Sequence, residues 1–191
     1  MSTHILPAGT ELWRVYFRGG PHPTLWNTFR ADGPVATARF DHHDPPQREQ
    51  ERAILYTGAT GPICLAEVFQ ASRVIDRSAN APWLVGFHLA VGLRLLDLTG
   101  LWPTHAGGSQ EINSGDRTRA QQWSRAIYAA YPTIDGLWYR SKMYGSMPAV
   151  ALYERAQRAL PSRPSFHAAL VSPTLFDVID NAAARIGYTV V

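Results

Sequence analysis

Cysteine and lysine are nearly missing from this chain of 191 residues: each occurs once, as Cys64 and Lys142. One thiol cannot close an internal disulfide, form a CxxC redox pair or build a cysteine-based zinc finger. It fits a reducing compartment. Charge is also sparse, at 17% of residues, with 18 basic against 15 acidic side chains and a net charge of +3. All the basic residues but Lys142 are arginines, and they are scattered without a run of like charge. That pattern argues against direct nucleic-acid binding as the main function. Long hydrophobic runs are missing too. The longest, Trp83 to Leu93, is broken by His88 and is too short to span a bilayer. Met1 to Glu11 has no basic start followed by an apolar core, so no signal peptide is expected. The expectation is a soluble cytoplasmic protein with no membrane partner.

Several catalytic signatures are absent: GxGxxG after a strand, GxxxxGK[ST], HExxH and GxSxG. Rossmann, P-loop, zincin and α/β-hydrolase readings therefore have no anchor. There is no internal repeat and no low-complexity block.

What is present is a core. Apolar residues make up 46% and aromatics 11% of the chain, which excludes a disordered chain, a coiled coil and a collagen-like fibre. A chain of this length buries about 70% of its unfolded surface and needs no disulfide or metal staple. No Pro- or Gly/Ser-rich linker divides it, so one domain over residues 1–191 is expected. Fifteen glycines and fourteen prolines point to many turns.

Glu11 to Phe17 and Ala53 to Thr57 read as strands, with Gly19 to Pro34 a loop, Val35 to Phe40 a short strand and Asp41 to Pro46 a turn. Thr60-Gly61-Pro62 reads as a helix start, the helix running to about Ser72 with Leu65, Val68 and Phe69 on its apolar face. Trp83 to Ala90 and Arg94 to Leu98 read as antiparallel neighbours, and Trp102 to Gly115 as a polar loop. Arg117 to Ala130 is an amphipathic helix ended by Pro132. Gly136 to Arg140, Ala149 to Tyr153 and Phe166 to Val171 are strands. Ser172-Pro173 opens a last helix that Gly187 ends, and Tyr188 to Val191 adds an edge strand. Strand and helix do not alternate strictly, which excludes a doubly wound parallel sheet. The expected fold is α+β, with a split, mostly antiparallel sheet and flanking helices.

Chemistry-bearing residues are few. His42 and His43, flanked by Asp41 and Asp44, form the nearest thing to a metal cluster. Adjacent histidines on extended backbone point apart, and a polar turn with capping aspartates fits better. Ser141 ends a buried-looking strand but has no recognisable base. Three residues stand out together: Arg14 on a first strand, Tyr56 at the end of a second, and Glu67 on the helix that follows. Leu65-Ala66-Glu67-Val68-Phe69 puts a lone carboxylate among apolar neighbours, which is costly unless the group is used or paired.

Taken together, LWRVYF (Arg14), ARFD (Arg39), ILYTG (Tyr56), CLAEVF (Glu67) and GLWYRS (Ser141) resemble the RES-domain family, named for its Arg, Glu and Ser. The segments come in the family's order and cover most of the chain. Two features depart from the family: Ala38-Arg39-Phe40-Asp41 stands where it often has Gly-Arg-aromatic-Asn, and the loop between Phe17 and Ala38 is long and Trp-containing.

The resemblance implies a fold similar to ADP-ribosyltransferase toxins. It also implies the toxin of a bacterial toxin–antitoxin pair, acting on NAD⁺ as substrate without a metal. The antitoxin would be a small helical, DNA-binding partner covering the active site. The residue types suit that chemistry. Breaking the nicotinamide–ribose bond passes through an oxocarbenium-like sugar, which Glu67 would stabilise. Arg14 and Arg39 would grip phosphate oxygens, Tyr56 would stack on nicotinamide, and Ser141 would fix Glu67 or a ribose hydroxyl. Three functions remain open at this point. They are NAD⁺ cleavage with ADP-ribose passed to water or phosphate, ADP-ribosylation of a cellular protein, and a non-enzymatic binding module that would tolerate loss of Glu67.

Overall fold

The structure, a computed structural model, describes residues 2–191. The elements in order are β1 (Thr3–Leu6), β2 (Glu11–Phe17), β3 (Arg30–Gly33), β4 (Arg48–Gly58), α1 (Gly61–Val68), β5 (Val74–Ile75), β6 (Pro82–His88) and β7 (Leu93–Asp97). There follow α2 (Trp102–His105), α3 (Arg117–Ala130), β8 (Gly136–Arg140), β9 (Pro148–Tyr153), β10 (Phe166–Ala169), α4 (Phe176–Ile186) and β11 (Thr189–Val190). Eight strands run in the order β1-β7-β8-β9-β4-β2-β6-β10, and β3 pairs with β4 off that path. The pairs are antiparallel apart from β7 with β8. β5 and β11 form a small parallel pair of their own. This is the α+β architecture expected from the sequence. Among the described residues no helix is long and apolar enough to cross a membrane.

The central strands are central because they are apolar on both faces. In β9, Ala149 to Tyr153 are all buried, and in β4 the run Ala53 to Leu55 is buried. A strand covered on both faces reads as a continuous apolar run rather than an alternation. β6 follows the same rule through Leu84, Val85 and Phe87. It lies between β2 and β10, while β7 lies between β1 and β8, so these two strands are not the neighbours that their closeness in sequence suggested. The short connection does not turn back as a hairpin. Leu89 continues along β2 through its bonds with Gly9 and Thr10 before the chain crosses to the far side of the sheet.

Other expectations need correcting. Arg30 to Gly33 is a strand, not loop, and Val35 to Phe40 is irregular, not strand. Side chains take the backbone groups of that segment instead. Gln121 Nε2 donates to the carbonyls of Val35 and Ala38 at 2.9 and 2.8 Å, and Ser124 Oγ donates to that of Phe40 at 2.8 Å. α1 ends at Val68, four residues early, and Val68 itself is exposed. Ile63, Cys64, Leu65 and Ala66 are buried instead, against the sheet and α4. The supposed loop from Trp102 holds α2 and a 3-10 turn at Gln110–Asn113. α3 starts where expected, with the Asp116 carboxylate accepting from the Arg119 N–H at 2.8 Å. Gly187 ends α4 in the left-handed region at φ 68°, where glycine carries no Cβ penalty.

Candidate active site

A cleft of about 670 Å³ opens over β2, β4 and α1. Arg14, Arg39, Tyr56 and Glu67 all line it. The fifth residue singled out from the sequence, Ser141, is fully buried behind the wall. Residues from four separate stretches of chain thus meet at one place.

Ser141 acts on the carboxylate. Its Oγ–H donates to Glu67 Oε1 at 2.5 Å, and the same Oγ accepts from the Met143 and Tyr144 N–H groups at 3.2 and 3.1 Å. Two backbone donors fix the hydroxyl, and the hydroxyl fixes the carboxylate. The geometry comes from the turn after β8, which Ser141 N–H closes onto the Met147 carbonyl at 2.9 Å. Gly145 and Ser146 take positive φ there, at 55° and 60°.

Arg14 projects from β2 into the cleft. Nη1 donates to the carbonyls of Trp26 and Thr28 at 2.9 and 3.0 Å, so the Trp-containing loop positions this guanidinium and leaves its other N–H groups free. Burial pushes the group down to about 10, and it stays cationic at neutral pH. Arg39 is held by the carbonyls of Gly115 (2.7 Å) and Ser114 (3.4 Å). Burial, and after it the like charge of Arg117, lower its pKa from the ordinary value. The Tyr56 hydroxyl accepts the Phe40 N–H at 3.0 Å. Burial raises its phenol well above the usual range, so Tyr56 stays neutral.

Sequence reasoning missed part of the lining. Arg30, Arg117, Arg140 and Lys142 join Arg14 and Arg39, against the carboxylates of Asp32 and Glu67. Six cations facing two anions make the cleft an attractor for anions. Tyr139 also lines it, its phenol raised well above the ordinary value by burial and then by the charge of Glu67. Gln70 sits one helical turn beyond Glu67. Its i, i+3 spacing was readable in the sequence, whereas the convergence of Arg30, Arg117 and Arg140 needed the topology.

The Asp41-His42-His43 segment is not a solvated turn. All three residues are fully buried. Asp41 Oδ2 accepts from Arg30 Nη2 and from the Val35 N–H, both at 2.7 Å, and Oδ1 pairs with His43. His42 packs between Tyr128 and Tyr153 with Nε2 3.6 Å from Glu154. Among the described residues no group of three His, Cys, Asp or Glu side chains could hold a metal ion.

Four residues far apart in the sequence, Arg14, Arg39, Tyr56 and Glu67, now share one cleft, and a fifth, Ser141, holds the Glu67 carboxylate from behind its wall. A family model described as RES domain matches residues 11–172, and the chain belongs to the RES-domain family. A search of the curated proteins finds no match. Among solved structures, the crystal structure of the M. tuberculosis MbcT–MbcA toxin–antitoxin complex is similar in fold. Its TM-score is 0.58 at 17% sequence identity, over 93% of this chain and 92% of that one.

Proposed function

We propose that the protein is the toxin of a toxin–antitoxin pair, an enzyme that cleaves NAD⁺ at the nicotinamide–ribose bond and passes ADP-ribose to water or phosphate. The observation that carries the reading is the Ser141–Glu67 hydrogen bond at the wall of a cation-lined cleft. A carboxylate held in a fixed position by a buried donor can meet a developing positive charge without reorganising. The arginines around it suit a substrate with a diphosphate. Membership of the RES-domain family and the fold shared with a structure of a toxin–antitoxin complex support the biological setting.

In this reading the diphosphate docks against Arg14 and Arg39, and nicotinamide stacks near Tyr56. The C1′–N bond breaks, and its electron pair leaves on the nicotinamide nitrogen, which becomes neutral. The ribose carries the positive charge as an oxocarbenium ion, and the Glu67 carboxylate faces it. Water or phosphate then adds to C1′, and a water nucleophile releases one proton to solvent. Ser141 touches neither substrate nor the reacting atoms; it positions Glu67. A cognate antitoxin with a helical DNA-binding region would silence the enzyme by covering the cleft.

The test is incubation of the purified protein with NAD⁺, with and without inorganic phosphate. Release of nicotinamide with ADP-ribose, or with its 1-phosphate when phosphate is present, without any protein acceptor and lost in Glu67→Gln, is the expected result. Label transferred from NAD⁺ to a cellular protein, with no turnover in its absence, would replace cleavage by ADP-ribosylation. No turnover of either kind would overturn the enzymatic reading.

A further inference from the structure

Ser141 accounts for one oxygen of Glu67. The other faces Gln70. Gln70 Nε2 donates to the Glu67 backbone carbonyl at 2.7 Å and lies 3.5 Å from Glu67 Oε2. A side-chain amide can swing unless its oxygen is also tied. Here it is tied: Arg117 Nη2 donates to Gln70 Oε1 at 3.0 Å. Arg117 opens α3, and the two carbonyls just before it, Ser114 and Gly115, are those that hold Arg39. Two guanidiniums therefore stand against one short segment, and both line the cleft. Arg117 spends one N–H on Gln70; a guanidinium carries five, and the rest remain for a ligand.

We propose that Arg117 and Gln70 act as one unit joining the anion-binding side of the cleft to the carboxylate. Arg117 binds the substrate's diphosphate together with Arg39, and Gln70, locked by Arg117, holds the second oxygen of Glu67. Arg117 is then a binding residue, and Gln70 a positioning residue that touches no substrate. The unit ties α3 to the end of α1, where backbone bonding alone would leave the Glu67 carbonyl free. The inference rests on the reading of Glu67 as the group that faces the ribose.

Two measurements test it. The first uses ligand-free protein with carbon-13-labelled glutamate side chains and follows the Glu67 carboxyl resonance. It is expected to move in Gln70→Ala and to move comparably in Arg117→Ala, and to stay in place in Arg119→Ala, an exposed residue of the same helix. An unmoved resonance in the first two variants overturns the unit whether or not the protein consumes NAD⁺. The second is kinetic. Gln70→Ala is expected to lower kcat about tenfold with KM within about threefold, the split expected when only the transition state loses an interaction. Arg117→Ala is expected to lower kcat by a similar factor and to raise KM as well. The double variant should lose no more kcat than Arg117→Ala alone, because coupled residues are non-additive. Multiplicative losses would separate Gln70 from Arg117 and reject the unit. A parent enzyme without NAD⁺ turnover would reject the proposed function, and the resonance would still decide the contact.

Discussion

At the residue scale the site is a carboxylate with an attached support. Glu67→Gln keeps the size of the side chain and one acceptor oxygen, turns the other oxygen into a donor, and removes the charge that the proposed function sets opposite the sugar. NAD⁺ turnover should fall by about 10²–10³, the usual loss when a preorganised electrostatic group is removed. Ser141→Ala should act twice. Glu67 loses its donor, and the Met143 and Tyr144 N–H groups lose their acceptor. Buried donors left without a partner cost about 1–3 kcal/mol, so lower turnover should come with a lower melting temperature by calorimetry. Arg14→Lys keeps the charge and loses the fork that bonds the Trp26 and Thr28 carbonyls while facing the cleft; weaker NAD⁺ binding is the expected readout in a titration. These residues were legible because each sits in a short motif whose chemistry is odd for its place, such as a lone carboxylate in an apolar helix segment. Ser141's partner was legible only as one of two choices. The sequence separation of 74 from Glu67 leaves no local signal, and the pairing is made by the sheet.

At the element scale the segment from Val35 to His43 determines how the cleft wall stands, and it was the part least visible in the sequence. Its polar groups read as surface because a buried Asp-His-His is rare; only the partners on α3, β3 and β9's end explain it. Gly33 gives a direct check. A Cβ there would lie within 3 Å of the buried His43 ring, so Gly33→Ala should destabilise the fold by about 1–3 kcal/mol through overpacking. The same cluster sets the response to acid. Burial lowers the His42 pKa below 6.5, so neutral His42 contributes stability that is complete above pH 6.5 and declines as pH falls toward its folded value. For Glu154, burial pushes the carboxyl up. Bonds from Tyr128 (2.6 Å) and the Ala53 N–H (3.1 Å), with His42 close by, outweigh it and hold the group down at about 2. Its contribution is complete above pH 4.5 and is lost as pH falls to about 2. The melting temperature should therefore drop in two stages on acidification, the first beginning near pH 6.5. A melting temperature constant from pH 7 to pH 5 would show that His42 takes up its proton without cost. Strands and helices with strong periodicity, β2, β8 and α3, were readable to the residue. The neighbours of β6 and β7 were not, because the buried positions of both strands are apolar and carry no mark of which partner they take.

For the whole molecule, the proposed activity predicts a time course. Expression without a partner protein should arrest growth, with cellular NAD⁺ falling first. A turnover of about 10 per second, ordinary for an enzyme, drains a small shared pool quickly. Glu67→Gln should abolish both effects. Arrest with an intact NAD⁺ pool would point to protein modification instead. The strand order carries one more consequence. β9 lies between β8 and β4, so the strand that bears Ser141 on its trailing turn reaches the half of the sheet that bears Glu67 only through a strand made after it. A nascent chain still on the ribosome can have Arg14, Tyr56 and Glu67 already outside and yet lack the assembled cleft. Under the proposed function, translation products that stop before Pro148–Tyr153 are expected to be inactive, and activity is expected to appear only when that strand closes the sheet.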